Sequence, residues 1–418
     1  MLEPRAFLAS LFDAAIRAAD PAEGIRAHLP QKPKGRTVVI GAGKGAAQMA
    51  QALETLWDEP LSGIVVTRYG YGCDTENIEV IEAAHPVPDM AALAASRRLF
   101  DEIADLTADD LVIALICGGG SALLPSPPEG LTLDDEIALN QTLLASGAPI
   151  AAMNVVRKHL SNIKGGRLAT STRARVVSLI VSDIPGDNPA HVASGPTVPD
   201  QSTRHDALEI VRQYKLALPQ AALDHLNSKR ADAPRPDDPV FANHSHHIIA
   251  SAGVSLEAAA AAARNEGIEA AILSDSIEGE AREVALVHAA IAREIATRNR
   301  PFRKPVVLLS GGETTVTLRG KTGRGGRNGE FALALAQAIN GHDIEALAAD
   351  TDGIDGSEHN AGAFCDGETI RRLRAASLEP QKLLDANDSY AAFAAIDDLF
   401  VTGPTGTNVN DFRAILIR

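Results

Sequence analysis

The chain has 418 residues, a length typical of two or three domains. Its formal charge of −15 argues against a nucleic-acid partner, and no apolar run approaches the roughly 20 residues that cross a bilayer. The widely spaced Cys73, Cys117 and Cys365 indicate free thiols and predict a soluble cytoplasmic protein, whose oligomeric state stays open, a homodimer included.

Short β-rich runs alternate with helical segments through the first half of the chain. The runs are continuous and apolar, which is typical of a parallel sheet covered by helices on both faces. The stretch 226–241, rich in proline and charge, interrupts this pattern, which then restarts. We therefore predict two α/β domains, residues 1–235 and 236–418. Ligands of such sheets bind at the carboxyl ends of the strands, so the loops after the strands should carry the chemistry.

A glycine turn with one lysine follows the first strand, in the stretch TVVIGAGKGAA (37–47). Gly41, Gly43 and Ala46 fit the dinucleotide fingerprint G-x-G-x-x-G/A, but the second strand ends in an arginine and not in the acid that binds an NAD ribose. Lys44 has no role in that fingerprint, and a lysine at a helix N-terminus opposes the helix dipole. The turn therefore favours a bound anion, with an NADP site or a plain surface lysine as alternatives.

The fourth β-rich run leads into CGGGS, where Gly118, Gly119, Gly120 and Ser121 allow main-chain N–H groups to approach an anion closely. A turn that needs positive φ would explain one or two of these glycines, but less readily three. We therefore predict a phosphate-binding loop. Asp183 lies at the end of the next strand, where its carboxylate could accept a hydroxyl proton or hold Mg²⁺.

Residues 153–175 contain six Lys and Arg and no acid, a local reversal in an acidic chain. Polar residues recur there at three- and four-residue helical spacing and include Arg157, so one helix face could line a cleft. For Lys158, Arg173 and Arg175 we predict a solvated basic surface instead.

A glycine-rich cationic loop opens a helix in the second half of the chain. Lys321, Arg324 and Arg327 lie among five glycines there, and such a loop suits an anion that is admitted, clamped and released, although a surface hairpin is the alternative. Asp350 and Asp352 follow a later strand. Closely spaced carboxylates beside phosphate loops predict Mg²⁺ binding, with turn capping as the alternative.

The order of these motifs resembles that of the class II glycerate 2-kinases, which carry a MOFRL domain at the C-terminus. The resemblance runs from about residue 5 onward and rests on GAGKGAA, EAAHPVPD, CGGGSALL, NVVRKHLSNIKGGRLA, SDIPGDNPAHVASGPT, GRGGRNGEFAL, DTDGIDG and TGPTGTNVNDF. It implies phosphorylation of D-glycerate on its 2-hydroxyl, with ATP and Mg²⁺. It also implies a Rossmann-like N-terminal domain with a three-layer parallel sheet, a smaller C-terminal α/β domain and an active site in the cleft between them.

The resemblance also implies roles for individual residues. The family's catalytic lysine falls on Lys44 and its catalytic arginine on Arg327, with Arg324 beside it in the nucleotide site. The glycines of both N-terminal loops, together with Ser121, are expected to bind the nucleotide. Asp183 is a candidate proton acceptor, and Arg157 or Arg327 could supply the cation that glycerate's carboxylate needs.

Two other functions remain open on the sequence. The first is an NADP-dependent hydroxypyruvate reductase, whose substrate differs from glycerate by one oxidation; the missing ribose acid and the phosphate-type loops of the second domain count against it. The second is a regulator that senses a nucleotide or sugar phosphate, which would leave Lys44, Arg327 and the aspartates with less to do.

Overall fold

The apolar runs of the first half form one sheet. In the computed structural model, which describes residues 3–318 and 323–418, its strands are β1 (Thr37–Ala42), β2 (Leu61–Arg68), β3 (Ile78–Ala83), β4 (Leu111–Ile116), β5 (Arg175–Val181) and β6 (Ser245–Ala250). The strand order is β3-β2-β1-β4-β5-β6, and β1 to β5 pair in parallel. This is the order of a Rossmann sheet, so the predicted α/β, Rossmann-like class is confirmed.

A second sheet follows from residue 269 onward. Its strands are β7 (Glu269–Glu280), β8 (Val306–Thr315), β9 (Ile344–Asp350), β10 (Gly362–Asp366), β11 (Leu399–Phe400) and β12 (Asp411–Ile417). The order is β11-β10-β9-β12-β8-β7. Only the pair β7–β8 is parallel among these neighbours, because β12 runs antiparallel to both β8 and β9, and β10 is antiparallel to β9 and β11.

The helices cover these sheets. In chain order they are α1 (Pro4–Ala18), α2 (Pro21–Ala27), α3 (Ala46–Leu56), α4 (Met90–Ile103), α5 (Gly120–Leu123), α6 (Leu133–Ala145), α7 (Ile150–His159), α8 (Arg167–Thr170), α9 (Arg204–Gln213), α10 (Gln220–Asn227), α11 (Ala252–Asn265), α12 (Ala281–Arg298), α13 (Arg327–Ala338), α14 (Thr369–Ala375), α15 (Pro380–Asp385) and α16 (Ser389–Ala394). Within the described ranges, no helix combines the length and the apolar character that crossing a membrane requires.

The chain divides into two units whose limits differ from the predicted boundary at 235. The first unit is Pro21–Ile249, and the second is Ala250–Arg418 together with the chain up to Asp20. The proline-rich stretch before β6 does not end the first unit, because β6 is hydrogen-bonded beside β5. Helix α1 joins the second unit because its apolar face needs a core, and Phe12 packs edge-on against Phe412 of β12 at 5.6 Å.

A buried histidine lies in the core of the second unit. The Nδ1–H of His288 donates to the Val284 carbonyl at 2.8 Å, which leaves Nε2 to accept from the Ser310 hydroxyl at 2.9 Å. Its ring packs edge-on against Phe331, with centroids 5.2 Å apart. Burial lowers the pKa of His288 to about 4, because no water solvates the imidazolium there.

This histidine should make the second unit sensitive to acid. Because the pKa of His288 is lower in the folded chain than the ordinary 6.5, its stabilising effect is complete above pH 6.5 and is lost as the pH falls toward 4. The full effect is about 3 kcal/mol. We expect His288→Gln to lose less free energy of unfolding than the wild type between pH 7 and 4.5, measured by urea unfolding. The exposed His205 provides the control variant His205→Gln, which should follow the wild type. Parallel curves for the wild type and His288→Gln would contradict this.

Candidate active site

Hydrogen bonds of its own main chain fix Lys44 in the turn between β1 and α3. The Lys44 N–H donates to the Gly118 carbonyl at 2.8 Å, and its own carbonyl accepts from the Thr67 hydroxyl at 3.0 Å. Its side chain is partly buried, and across the described ranges its ammonium has no hydrogen-bond or ion-pair partner. The turn thus presents a positive charge that forms no ion pair with a carboxylate of the described residues.

The two glycines before Lys44 have a packing reason of their own. A Cβ on Gly41 would lie 2.5 Å from the Leu115 carbonyl of β4, and one on Gly43, whose φ is +141°, would collide with the Cys117 sulfur. Close packing of β1 on β4 therefore explains both glycines without a ligand. Their predicted role in nucleotide binding stays a prediction.

The CGGGS loop is enclosed by residues predicted for the site. A Cβ on Gly118 would collide with the Asp183 carboxylate, and one on Gly119 would lie 3.0 Å from Lys44 Cγ. The fold thus brings Lys44, the glycines and Asp183 together at the carboxyl ends of β1, β4 and β5. Among the described residues, the N–H groups of Gly118 and Gly119 have no acceptor. Two free donors next to an unpaired lysine make a surface suited to an anion.

His85 is a neighbour that the residue-by-residue reasoning missed. Its Nε2 lies 3.1 Å from the place of a Cβ on Gly119. Burial lowers the pKa of His85, and the nearby charges of Lys44 and Arg68 lower it further, so the ring is neutral at pH 7. The only sequence signal was its place in the motif EAAHPVPD, which gives no contact by itself.

A chain of hydrogen bonds extends from the CGGGS loop to helix α7. The Ser121 and Ser194 hydroxyls lie 2.9 Å apart, Ser194 donates to Asn154 Oδ1 at 3.3 Å, and Arg157 Nη1 donates to the same oxygen at 3.2 Å. Arg157 also donates from Nε to Asn140 Oδ1 at 2.8 Å. The predicted polar face of this helix is therefore linked to the loop.

The prediction that Lys158 belongs to a solvated basic surface is wrong. Lys158 is fully buried and pairs with Asp200, and burial lowers the pKa of Lys158 to about 8. The spacing of the basic residues could not reveal this, because the carboxylate comes from a distant loop. Arg173 is exposed as predicted, whereas Arg175 is partly buried and donates to the Gln31 carbonyl at 2.6 Å.

Arg327 lies in the second unit, at the first position of α13. Its guanidinium contacts three carboxylates, at 2.6 Å from Asp411, 2.7 Å from Asp350 and 3.1 Å from Glu313. Burial alone would lower the pKa of Arg327, but these acids raise it overall, so the arginine stays charged. A cavity of about 280 Å³ opens beside Arg327 and Asp350, and three glycines of the same loop, Gly323, Gly325 and Gly326, form part of its lining.

The N-terminus of α13 is already occupied by an acid of the chain. Asp355 accepts from the N–H groups of Asn328 at 2.9 Å and Gly329 at 2.7 Å. Burial raises the pKa of Asp355 to about 6, although these hydrogen bonds oppose the shift. Asp355 therefore caps α13, and this role explains the residue without a bound anion.

Arg324, the other described cation predicted for this loop, is not part of the Arg327 cluster. Arg324 is exposed, stacks on Tyr390 at 4.7 Å and lies 3.8 Å from the Glu358 carboxylate. Its predicted place in the nucleotide site stays a prediction. Lys321 and the neighbouring Gly320 lie outside the described residues.

The predicted magnesium ligands do not form a metal site as described. Asp350 is paired with Arg327, and its second oxygen accepts from the Asp352 N–H at 3.2 Å. Asp352 in turn accepts from the Ile354 N–H at 2.8 Å. Burial raises the pKa of Asp350, and the Arg327 guanidinium opposes that shift. In the described part of the chain, no three His, Cys, Asp or Glu are arranged to hold a metal.

Comparisons with known proteins identify the family. Residues 7–227 match the family described as "Domain of unknown function (DUF4147)", and residues 306–411 match the MOFRL family. A "Glycerate 2-kinase" of Pyrococcus horikoshii is 41% identical over 389 residues, covering 92% of this chain and 88% of the relative. The chain belongs to the class II glycerate kinase family. The resemblance drawn from the motifs is thereby confirmed.

Two further similarities bear on this glycerate kinase family member. A crystal structure of a glycerate kinase from Thermotoga maritima superposes with a TM-score of 0.90 at 36% identity, covering 99% of each chain. An Agrobacterium vitis protein named "Putative hydroxypyruvate reductase" is 50% identical over 417 residues, covering 99% of this chain and 94% of the relative. Both names occur among close relatives, but relatives named glycerate kinase in archaea, bacteria and mammals and the solved structure support a kinase, and the reductase name is the less supported alternative.

The carboxylate of Asp411 should be essential to the fold of this family member. Asp411 contacts Arg327 and the fully buried Arg413, and it also accepts from the Asn328 side chain at 2.9 Å. Asp411→Asn would leave a buried arginine without its counter-ion, and we expect a loss of about 3–5 kcal/mol in urea unfolding. Asp343, an exposed partner of Arg418, provides the control Asp343→Asn, with a loss below about 1 kcal/mol. Equal losses for the two variants would contradict this role.

Proposed function

We propose that the protein is an ATP-dependent kinase that transfers the γ-phosphoryl group to the 2-hydroxyl of D-glycerate, giving 2-phosphoglycerate and ADP. Membership of the glycerate kinase family and relatives so named in archaea, bacteria and mammals support this reaction. The observation that carries the proposal is the unpaired Lys44 ammonium next to the free N–H groups of Gly118 and Gly119.

These groups suit the chemistry of phosphoryl transfer. Negative charge spreads over the oxygens of the transferred group, so positioning and charge neutralisation supply most of the rate enhancement. Lys44 contributes a full positive charge, and the two glycine N–H groups contribute fixed dipoles. Because the N–H and the carbonyl of Lys44 are both hydrogen-bonded, the turn that carries this side chain is held in place before the substrate arrives.

Arg327 enters the proposal as a cation of the second unit that can bind a phosphoryl oxygen. Its contact with Asp411 is buried, but Glu313 is 58% exposed and holds only Nη1. A phosphoryl oxygen could therefore replace Glu313 on Nη1, while Asp411 and Asp350 keep the guanidinium in place. The adjacent cavity supplies space for such a group.

Asp183 is the proposed acceptor of the hydroxyl proton. Its carboxylate lies against Gly118, next to the donors that would hold the phosphoryl group. A carboxylate there is in reach of a hydroxyl that attacks the bound phosphorus.

Mg²⁺ enters the proposal with ATP, as the usual partner of its phosphates. Asp350 does not fit as its ligand in the arrangement described, because Arg327 and the Asp352 N–H occupy both of its oxygens, and one oxygen of Asp352 already accepts from the Ile354 N–H. We assign no step of the reaction to the metal.

Removing the Lys44 charge should abolish most of the activity and preserve the fold. Lys44→Met keeps the length of the side chain, and its main-chain bonds do not depend on the ammonium. We expect kcat to fall about 100- to 1,000-fold, as for the loss of one group that stabilises developing charge. The measurement is ADP and 2-phosphoglycerate formation from D-glycerate and ATP with Mg²⁺. The exposed Lys34 provides the control Lys34→Met, which should keep full activity; a Lys44→Met enzyme with normal kcat would refute the role.

A paired assay separates the kinase from the reductase. A specific observation favours the reductase, since β1, its glycine turn and the strand order are those of a dinucleotide-binding domain. Against it, β2 ends in Arg68, whose guanidinium stacks on Tyr71 at 3.7 Å, with no acid for the ribose hydroxyls. Purified protein should form 2-phosphoglycerate from D-glycerate and ATP, and should not oxidise NADPH or NADH with hydroxypyruvate. Nicotinamide oxidation alone would reverse the proposal, and no turnover in either tube would favour a regulator.

A further inference from the structure

Arg157 differs from the two neighbouring lysines because it has no acidic partner among the described residues. Lys158 pairs with Asp200, and Lys164 lies 2.7 Å from the Glu136 carboxylate. Within residues 3–318 and 323–418, no carboxylate lies within 4.0 Å of the Arg157 guanidinium. The charge of Arg157 is therefore uncompensated in a partly buried position.

A second unpaired arginine in this region shows what a purely structural role looks like. Arg167 donates to three main-chain carbonyls, those of Lys158, Lys164 and Ala231, at 2.7 to 3.1 Å. Its guanidinium thus ties segments of the chain together. Within the described part of the chain, Arg157 by contrast uses two of its five N–H donors, and both go to side-chain amide oxygens.

The two amides orient Arg157 without neutralising it. Asn140 holds Nε at 2.8 Å and Asn154 holds Nη1 at 3.2 Å. Nη2 has no partner among the described residues, and it is not a fully enclosed atom, so solvent reaches it. The guanidinium therefore keeps a free edge in a fixed direction, and that edge can bind both oxygens of one carboxylate.

The physical cost of this arrangement points to an anion. Burial lowers the pKa of Arg157, and Glu136 opposes this only from a distance because its own carboxylate is bound to Lys164. A partly desolvated cation with no counter-ion destabilises the fold, and a bound anion would offset that cost. Ser194 shares the Asn154 oxygen with Arg157 and contacts Ser121, so the anion would lie next to the CGGGS loop.

We propose that Arg157, oriented by Asn140 and Asn154, binds the carboxylate of the hydroxy acid substrate and makes the enzyme selective for acids over uncharged polyols. This inference rests on the proposed kinase function for the identity of the acid. Arg327 is less suited to that task because three carboxylates of the chain already surround it. The phosphates of the nucleotide are the other anions that could occupy the site, and the test separates the two.

The experiment compares Arg157→Gln with the wild type in two measurements. Steady-state kinetics gives KM for D-glycerate and for ATP separately, and calorimetric titration gives the Kd of D-glycerate without nucleotide. We expect KM and Kd for D-glycerate to rise about 10- to 100-fold, the range for a hydrogen-bonded charged group, with KM for ATP within about twofold. Selectivity for D-glycerate over glycerol should fall by the same factor. The exposed Arg173, on the same basic stretch, provides the control Arg173→Gln, which should match the wild type in every value.

Each outcome decides the inference. Unchanged KM and Kd for D-glycerate in Arg157→Gln would overturn it, and so would a rise confined to KM for ATP, which would assign the arginine to the nucleotide. If Arg157→Gln does not fold, Arg157→Lys keeps the charge but loses the paired donors, and it should weaken D-glycerate binding about tenfold; no weakening would overturn the inference. If the wild type binds D-glycerate without phosphorylating it, the kinase proposal fails but the inference about Arg157 does not fail with it. The titrations of D-glycerate then still decide the role of Arg157.

Discussion

The closeness of β1 and β4 at their carboxyl ends is the constraint on which the site of the first unit depends. A side chain at Gly41 or Gly43 would strike β4 or the residue that follows it. This contact brings the Lys44 N–H to the Gly118 carbonyl at 2.8 Å, and it brings the Cys117 N–H to the Ala42 carbonyl at 3.0 Å. Two turns from different parts of the chain are thereby locked into one structure. The glycines matter first because they let the two strands lie close together. The position of Lys44 follows from that contact.

The cations predicted for the site have different surroundings in the two units. In the first unit, Lys44 and Arg157 have no carboxylate partner among the described residues, and both lie near the CGGGS loop. In the second unit, Arg327 is surrounded by acids, and Asp355 fills the end of its helix. An unpaired cation is suited to binding an anion directly. A paired cation is suited to binding an anion in exchange for one of its carboxylate partners.

The parallel first sheet could be predicted from the sequence, because continuous apolar runs separated by helices permit few other arrangements. The pairing of the second sheet could not, since only β7 and β8 are parallel neighbours there. The predicted residues Lys44, Gly118 and Asp183 do meet, since each follows a strand of the same sheet. Other features depend on contacts that are remote in the chain. The apolar face of α1 indicates that the helix is buried, but it does not indicate which sheet the helix packs against. Lys158 is buried because it pairs with a carboxylate in a distant loop. For the same reason Arg324 and Arg327, three residues apart, have unrelated partners.

The position of β12 has a consequence for synthesis on the ribosome. This strand lies between β8 and β9, yet it is made after both, and its Phe412 packs against Phe12 of α1. A nascent chain therefore exposes the apolar face of α1 and lacks the strand between β8 and β9 in the second sheet. At that stage the entire Rossmann unit is already available to fold. Until β12 emerges, β8 and β9 present unpaired edges that invite pairing with other chains. Shielding by chaperones should matter more for this unit than for the one synthesised before it.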